Sequence, residues 1–525
     1  MRNVRLPAKP SPLFLLALVF LSFYLGTTHA DSLITSNPNR SASSSAELPP
    51  LLSATAPGSE RFFAVGKMRG VAGHKGWECT ATLVASRDTP PVDQRALIIT
   101  ADHCARDTGT IGSNDVVIDR SVSSQYFFIP AYFYDNVPAH YKYPVSRIVY
   151  SSMKGADIGL LELDVTYGEL RSRGIKPAVL KTFQSSDVDI ELVHIPEGFF
   201  PDHYLRHSVC SSRPPIAVFE SDFPIRPELP WFWPKARAND CIGVSGGSSG
   251  SPIFAKGSDR VIGVLSTATG ANYSGCGYAR PCEITGSGLV SRPDGVYANA
   301  VDVILAALRP DNTLDLGKLD PGTGVGLVRT GSWSTRSEVA ESDGQLRPAS
   351  WKLRIEDTYE FVRYKTGAAS SIQCAQSEGY GEAVNVANQP LMALEVGDEE
   401  GVQAICVIGK RYGQPDWTPL QYATVLLRQI DNKAPVRAPK INTFDNDTEW
   451  QVGTSVQPNE NIKSYYKYGA LDAIDCHSQS GYSVFSHEIT IPKAQNTRYC
   501  TFATDEADNP SPIVSTDLLI NQADD

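Results

Sequence analysis

Short apolar runs separated by glycine and proline are the feature that most restricts how this chain can fold. Between residues 61 and 310 they recur with almost no helical periodicity before Asn299, and the chain's 41 glycines and 36 prolines supply frequent turns. Runs of four to eight apolar residues between turn signals are typical of β-strands. This region is therefore predicted to be mainly β.

The N-terminal residues carry an export signal. Arg2 and Arg5 precede an apolar run at 13–25, and Thr28-His29-Ala30 suits signal-peptide cleavage. The alternative is a membrane anchor, but this run is too short to cross a bilayer. Residues 1–30 are therefore predicted to be a signal peptide, and the mature protein to be secreted, either extracellular or periplasmic.

Length and composition divide the rest of the chain, because 525 residues exceed a single domain. Residues 31–60, rich in Ser, Ala, Pro and Asn, are predicted to be a disordered pro-segment or linker. A first domain spans 61–310, and a Gly-, Asp-, Ser- and Thr-rich linker spans 311–350. Two smaller modules follow at 351–435 and 436–525. The net charge of −11 argues against a nucleic-acid or anionic-membrane partner.

A serine set among glycines suggests a nucleophile. The stretch 246–254 reads Gly-Gly-Ser-Ser-Gly-Ser-Pro-Ile-Phe, with Ser249 ahead of an apolar strand. Glycine permits backbone angles that let successive N–H groups point at one spot, as an oxyanion hole requires. A Gly/Ser linker is the alternative for this stretch by itself. A nucleophilic serine also needs a base and a group that orients the base.

Two upstream motifs supply those groups. An apolar run ends at Asp102-His103-Cys104, and Asp157 opens the apolar stretch 157–163. The alternatives are a buried core histidine and a strand-initiating aspartate. The chain order His, Asp, Ser is that of the chymotrypsin-like proteases.

On these three ordered motifs, residues 61–310 resemble the trypsin/chymotrypsin-like serine proteases, and most closely the bacterial branch that includes lysyl endopeptidases. That branch carries Gly-Ser-Ser-Gly-Ser-Pro around its serine, as here. Residues 79–84, 261–266 and 294–297 also resemble strands of the family. The resemblance implies a double antiparallel β-barrel with the active site between the barrels. It also implies a closing helix at 299–308.

The resemblance assigns roles to the motif residues. His103 is the general base, Asp157 orients its imidazole, and Ser249 attacks the scissile carbonyl. The N–H groups of Gly247 and Ser249 bind the oxyanion. Ser248 stands where trypsin-like enzymes have an aspartate that pairs with the N-terminus released on activation. That activation switch is therefore not carried over.

Residue preference depends on the specificity pocket. Gly243 occupies the place of trypsin's pocket aspartate, whereas lysyl endopeptidases take theirs from the place where Asp294 falls. A carboxylate there would favour Lys or Arg through charge-assisted hydrogen bonds. A turn aspartate is the alternative, because Arg-Pro-Asp-Gly at 292–295 is a good turn sequence. Ser266 and Thr267 of the cleft strand are further substrate-binding candidates.

The C-terminal modules contain an internal repeat. Tyrosine to cysteine is ten residues and cysteine to glycine is five in both copies, which run through Tyr364, Cys374 and Gly379 and through Tyr466, Cys476 and Gly481. A second cysteine follows each, Cys406 and Cys500. Chance similarity is the alternative. We expect two small immunoglobulin-like β-sandwiches, each with one disulfide and each folding independently of the first domain.

Ten cysteines in an exported chain suggest disulfides. The family resemblance implies Cys79–Cys104, and the repeat implies Cys374–Cys406 and Cys476–Cys500. The remaining four allow three pairings, of which Cys210–Cys241 and Cys276–Cys282 are favoured. His203, His207 and Cys210 lack a fourth ligand at convincing spacing, so no metal is assigned, and no cofactor is expected.

The predicted function is that of a secreted serine endopeptidase that cleaves protein or peptide substrates through an acyl-enzyme. Its C-terminal modules would bind substrate, a cell-surface or matrix ligand, or a partner. The alternative is a catalytically silent protease homologue that acts as a secreted binding protein.

Overall fold

The computed structural model describes most of the chain from Leu48 to Ile520. The described ranges are 48–72, 75–105, 112–122, 125–137, 140–197, 203–222, 226–269, 276–277, 280–286, 288–322, 324–341, 343–356, 358–456, 463–478 and 480–520. The predicted signal peptide and most of the predicted pro-segment lie outside these ranges. Within them no helix is long and apolar enough to cross a membrane.

The first domain is built almost entirely of strands, as predicted. Its strands are β1 (Val65–Ala72), β2 (Lys75–Ala85), β3 (Arg95–Thr100), β4 (Val116–Ser121), β5 (Gln125–Pro130), β6 (Tyr143–Ser152), β7 (Ile158–Thr166), β8 (Ala178–Leu180), β9 (Asp189–His194), β10 (Arg206–Asp222), β11 (Arg226–Asn239), β12 (Pro252–Ala255), β13 (Arg260–Ala268), β14 (Cys282–Thr285), β15 (Gly288–Ser291) and β16 (Val296–Ala300). Its short helices are α1 (Asp102–Ala105), α2 (Tyr167–Ser172) and α3 (Asp302–Leu305).

Twelve of these strands form two closed antiparallel rings. The first runs β1-β5-β6-β7-β3-β2 and closes where β2 pairs with β1. The second runs β13-β12-β9-β10-β11-β16 and closes where β16 pairs with β13. Strand β8 pairs in parallel with β2 and β13 and so joins the two rings. Closure gives each of the twelve ring strands a partner on both sides, and the apolar runs noted in the sequence fill the interiors.

The helix expected at 299–308 is shorter in the structure. Asn299 and Ala300 belong to β16, where they pair with Val264 and Gly263 of β13. The helix α3 therefore begins only at Asp302. The apolar periodicity assigned Asn299 and Ala300 to a helix, but their backbone hydrogen bonds to β13 keep them in a strand.

The C-terminal part is also made of strands: β17 (Leu327–Arg329), β18 (Ser334–Thr335), β19 (Glu338–Ala340), β20 (Leu346–Pro348), β21 (Leu353–Ile355), β22 (Tyr359–Ala368), β23 (Val384–Asn385), β24 (Gly401–Arg411), β25 (Thr424–Ile430), β26 (Lys440–Asp445), β27 (Glu449–Ser455), β28 (Lys463–Ala470), β29 (Ser483–Val484), β30 (Ile489–Pro492), β31 (Thr497–Thr504) and β32 (Val514–Leu518). We call residues 324–433 module 1 and residues 434–520 module 2. Module 1 contains the sheet β18-β25-β24-β22-β23, and module 2 contains the sheets β26-β27-β30 and β29-β28-β31-β32.

The segment 311–350, predicted to be a linker, is ordered where the structure describes it. It carries β17 to β20, and β18 joins the sheet of module 1. Asn312 is buried against the first domain, where its Nδ2 donates to the Tyr167 hydroxyl at 2.8 Å. Composition indicated a flexible connection, but these residues pack on both of their neighbours.

Five disulfides join the ten cysteines. The pairs are Cys79–Cys104, Cys210–Cys241, Cys276–Cys282, Cys374–Cys406 and Cys476–Cys500. These are the pairs that the sequence analysis favours.

Candidate active site

His103 lies on the one-turn helix α1, directly after the buried strand β3. The neighbouring Cys104 is bonded to Cys79 of β2, and its carbonyl accepts a hydrogen bond from Trp77 Nε1 at 3.1 Å. Two links to β2 therefore fix α1, and with it the backbone of His103, at the end of the first ring.

Asp157 meets His103 through two hydrogen bonds. His103 Nδ1 lies 2.7 Å from Asp157 Oδ2, and the His103 backbone N–H donates to Asp157 Oδ1 at 3.1 Å. The Ser266 hydroxyl also donates to Asp157 Oδ2, at 2.7 Å. Asp157 is buried. The second ring thus contributes Ser266 to a network whose other members belong to the first ring.

The electrostatics of this pair favour an ionised Asp157 beside a basic imidazole. Burial by itself would lower the pKa of His103, but the charge and hydrogen bond of Asp157 raise it above its usual value, with smaller contributions from Glu220 and Asp102. Burial raises the pKa of Asp157, but His103 and the Ser266 hydroxyl outweigh that and lower it. The pair can hold an imidazolium, as a general base requires after it takes a proton.

Ser249 lies on a tight loop between β11 and β12. Gly247 and Gly250 on either side have φ of 82° each, a region that glycine adopts without strain. A methyl group at Gly250 would lie 2.1 Å from Thr100 Oγ1 and 2.2 Å from the Thr80 carbonyl oxygen. Both the backbone angle and the close approach therefore require glycine at position 250.

Strands of both rings hold this loop. Thr80 N–H donates to the Ser249 carbonyl at 2.9 Å, and Thr80 Oγ1 donates to the Gly247 carbonyl at 2.9 Å. Gly250 N–H donates to the Leu265 carbonyl, one residue before Ser266, at 2.8 Å. Among the described residues we find no acceptor for the N–H groups of Gly247 and Ser249 and no hydrogen bond between Ser249 and His103. Two backbone donors beside Ser249 are thus available to bind an oxyanion.

The three substrate-binding candidates fall in different surroundings. Ser266 is buried and contacts Asp157, whereas the Thr267 hydroxyl donates to Glu220 Oε2 at 2.6 Å. Asp294 is exposed with φ of 57°, in a turn closed by a hydrogen bond from Gly295 N–H to the Arg292 carbonyl. This placement fits the alternative of a turn aspartate.

Two carboxyl groups that the sequence analysis missed lie beside the site. Glu220 is buried on β10, bonded to Thr267 and near enough to His103 to affect its pKa. The backbone N–H of Glu197 donates to the Gly246 carbonyl at 2.7 Å. Burial, and then the charge of Glu78, raise the pKa of Glu197 to about 7, against the lowering effect of Lys67. No local motif could have identified them, because only the fold brings them to the site.

One group of three potential metal ligands occurs among the described residues: Cys79, His103 and Cys104. Both of its sulfurs are bonded to each other, so neither is a thiolate ligand. Two of the other candidates are also engaged, since Cys210 pairs with Cys241 and His207 Nε2 lies 3.6 Å from Glu191.

No protein-family model matches the chain, and no curated protein matches it. Solved structures that resemble it include the thermostable serine protease AL20 from an extremophilic microorganism, at 15% identity, 46% of this chain, 92% of that chain and a TM-score of 0.30. They also include the protease Anisep from Arthrobacter nicotinovorans, at 15% identity over 45% of this chain and 89% of that chain, with a TM-score of 0.29. A third is an HtrA-type protease with a tripeptide, at 13% identity over 71% of this chain and 97% of that chain, with a TM-score of 0.32. At these TM-scores the likenesses carry no argument about this chain.

Proposed function

We propose that this chain is a serine endopeptidase that cleaves peptide bonds through an acyl-enzyme. The observation that supports the proposal most strongly is the hydrogen-bonded set of His103, Asp157 and Ser266, which lies where the two rings meet and beside the Ser249 loop. A buried carboxylate that orients a histidine next to a glycine-flanked serine is the arrangement that nucleophilic acyl transfer needs.

Each residue has a defined role in that chemistry. His103 Nδ1 is engaged by Asp157, which leaves Nε2 to take the proton of the Ser249 hydroxyl as that oxygen attacks the substrate carbonyl. The N–H groups of Gly247 and Ser249 then bind the oxyanion of the tetrahedral intermediate. His103 returns the proton to the leaving amine, and water hydrolyses the acyl-enzyme by the reverse sequence of proton transfers.

The protonation of His103 sets the expected pH dependence. The neutral imidazole is the active base, and the pKa of His103 is raised above its usual 6.5. Activity should therefore rise with pH through a midpoint above that of an unperturbed histidine.

A secreted location is supported by the predicted signal peptide and by the five disulfides. The C-terminal modules would act as immunoglobulin-like binding units for substrate, cell surface or matrix. The alternative is a catalytically silent homologue that works as a secreted binding protein, and the absence of a Ser249–His103 hydrogen bond among the described residues favours it. Such hydrogen bonds are often long in substrate-free enzymes and tighten only with substrate.

Labelling with a fluorophosphonate separates the two functions. We expect the mature protein to react at Ser249 and the Ser249→Ala variant not to react, with turnover of a peptide reduced by several orders of magnitude. Ser186→Ala removes an exposed serine hydroxyl and serves as the matched control. Absence of labelling in folded wild-type protein would favour the binding-protein alternative.

The preference for Lys or Arg is a separate part of the proposal. If Asp294 lines the pocket, Asp294→Asn will weaken cleavage after basic residues in a profile of sites on a denatured protein mixture. A basic preference that is unchanged in Asp294→Asn would leave Asp294 as a turn residue. A wild-type profile without a basic preference would reject the specificity while leaving the peptidase assignment intact.

A further inference from the structure

An isolated β-bridge joins the segment just before the first ring to the second ring. Leu51 pairs with Arg206 in an antiparallel bridge. The flanking hydrogen bonds run from Leu52 N–H to the Leu205 carbonyl at 2.8 Å and from His207 N–H to the Pro50 carbonyl at 3.3 Å. Residues 49–52 are thereby held against the start of β10.

Pro49 carries this segment to the loop that precedes the nucleophile. Its buried carbonyl accepts a hydrogen bond from NH1 of Arg206, itself buried, at 2.7 Å. Its ring packs on Gly243, six residues before Ser249, so that a methyl group at Gly243 would lie 2.4 Å from Pro49 Cδ. Gly243 also has φ of 73°. Position 243 therefore depends on glycine for both its backbone angle and its contact with Pro49.

A second contact holds the same loop closer to the nucleophile. Ser248 lies between the two proposed oxyanion donors, Gly247 and Ser249, and is fully buried. Its Oγ lies 2.9 Å from Nδ1 of His194, at the end of β9. Burial, and then the charges of Arg206 and His207, lower the pKa of His194 to about 3. This contact is therefore made by neutral groups in any ordinary buffer.

We propose that Pro49 and His194 are positioning residues that hold the loop 243–249 in its catalytic conformation through uncharged contacts. The inference rests on the proposed peptidase function. Ser248 cannot form the ion pair with a released N-terminus that the aspartate of trypsin-like enzymes forms, and the structure supplies two other anchors in its place. The proline ring fixes the loop at its start, and the imidazole fixes it between the oxyanion donors.

The first test compares Pro49→Gly with Pro50→Gly in the otherwise intact chain. Both changes remove one proline from the same segment and so loosen the unfolded chain equally, but Pro50 is exposed whereas Pro49 contacts the loop. We expect Pro49→Gly to lower kcat about 10- to 100-fold, approaching the effect of losing one oxyanion donor, with a smaller change in KM. Pro50→Gly should stay within about twofold of wild type.

A double substitution separates positioning from general loss of stability. Gly243→Ala should lose activity because its methyl group overlaps Pro49. When Pro49 has already been replaced by glycine, adding Gly243→Ala should reduce activity by less than it does in the wild-type chain. Gly257→Ala is the matched control, because Gly257 has φ of 71° and open space around its Cα. It should lower thermal stability without the activity loss.

His194→Phe tests the second anchor, because it keeps an aromatic ring but lacks the nitrogen that contacts Ser248. We expect slower fluorophosphonate labelling of Ser249 by at least about tenfold in the folded variant. Should Pro49→Gly fail to fold, Pro49→Ala replaces it.

Equal labelling rates for wild type, Pro49→Gly and His194→Phe, all folded, would overturn this inference while leaving the peptidase function standing. Wild-type protein that does not label at all would instead reject the proposed function itself.

Discussion

The two copies of the internal repeat share their interior but not their surroundings. In module 1 the Lys365 ammonium donates to the carbonyls of a loop and lies 4.9 Å from the centre of the Tyr380 ring. In module 2 Lys467 does the same and lies 4.4 Å from the Tyr482 ring. Each tyrosine hydroxyl donates to the carbonyl of its copy's first cysteine, at 3.0 Å and 2.7 Å. The matched spacing therefore corresponds to one disulfide-closed loop built twice.

The copies differ in how they meet the first domain. Module 1 shares an apolar cluster with it, in which Trp333 stacks on Phe219 of β10 with ring centres 4.5 Å apart. The cluster contains Ala217, Phe219, Phe232, Ile284, Trp333, Ala369, Val402, Ala404 and Leu427. Module 1 also contacts the first domain just before β4, where Asn114 exchanges hydrogen bonds with Val425 at 2.9 and 3.2 Å.

In the described part of the chain, module 2 contacts module 1 through polar groups. Glu506 accepts hydrogen bonds from Trp333 Nε1 at 2.7 Å and from the Ser332 hydroxyl at 3.0 Å. Asn509 Nδ2 donates to the Asp431 carbonyl at 2.8 Å. A repeat in the sequence predicts what each copy builds inside itself, but the residues outside the repeat decide whether the copy packs on the first domain.

Truncation at two points should give opposite results. A chain ending at Pro310 exposes the first-domain side of the shared cluster, including Phe219 and Phe232, and each buried aromatic side chain is worth about 1.5–3 kcal/mol. We expect low soluble yield, a lowered melting temperature and loss of most turnover of a short chromogenic peptide. A chain ending at Lys433 keeps the cluster and should retain turnover within about twofold.

This expectation replaces the one drawn from sequence, in which both modules fold independently of the first domain. Full turnover by a soluble, folded chain ending at Pro310 would restore independence for module 1. Loss of turnover in the chain ending at Lys433 would make module 2 part of the enzyme as well.

Trp333 allows the two contacts of module 1 to be tested separately, because its side chain contacts both the first domain and module 2. Trp333→Ala removes the stacking on Phe219 and should lower the free energy of unfolding by about 3–5 kcal/mol. Trp333→Phe keeps a ring in that place but removes the donor to Glu506, which should cost about 1–3 kcal/mol.

Urea unfolding followed with separate probes on the first domain and on module 2 would measure both changes. In Trp333→Phe only the module 2 transition should move. Equal shifts of the first-domain transition in the two variants would show that stacking on Phe219 is not what joins module 1 to the first domain.

Local patterns predicted more of the molecule than long-range contacts did. Apolar runs between turn residues were enough to predict a mainly β fold, and the repeat pointed to the two C-terminal disulfides. The bond from Ser266 to Asp157 spans 109 residues and the bond from Trp333 to Glu506 spans 173, and neither leaves a periodic signal. The same holds for Glu197, Glu220 and His194, whose importance depends on which strands become neighbours when the rings close.

The buried lysines allow the two copies to be compared directly. Lys→Met keeps most of the aliphatic stem but leaves loop carbonyls unpaired, which should cost about 1–3 kcal/mol in either copy. Lys365→Met should destabilise the first domain together with module 1, because they share a cluster, whereas Lys467→Met should affect module 2 only. Lys440→Met, at an exposed position, is the control and should change little.

Differential scanning calorimetry would resolve the transitions. A Lys365→Met protein whose first-domain transition is unchanged would indicate that module 1 unfolds separately despite the shared cluster.

The smallest expected effect is a pH dependence of the module 2 contact. Burial raises the pKa of Asp431 to about 6 and raises those of Asp505 and Glu506 above their usual values. The folded state therefore holds these protons more tightly than the unfolded state does. The tighter binding of these protons stabilises the folded state fully below the ordinary carboxyl pKa. This stabilisation is lost as the pH rises through the raised pKa values.

We therefore expect the module 2 transition to move to lower temperature between about pH 4 and pH 7. Asp431→Asn cannot ionise and should flatten that dependence, while keeping the oxygen that accepts from Lys433 N–H at 3.0 Å. Asp472→Asn removes an exposed carboxyl group elsewhere in module 2 and is the control for the loss of one surface charge. If the slope is equally steep in wild type and Asp431→Asn, groups other than Asp431 set the pH dependence of the module 2 transition.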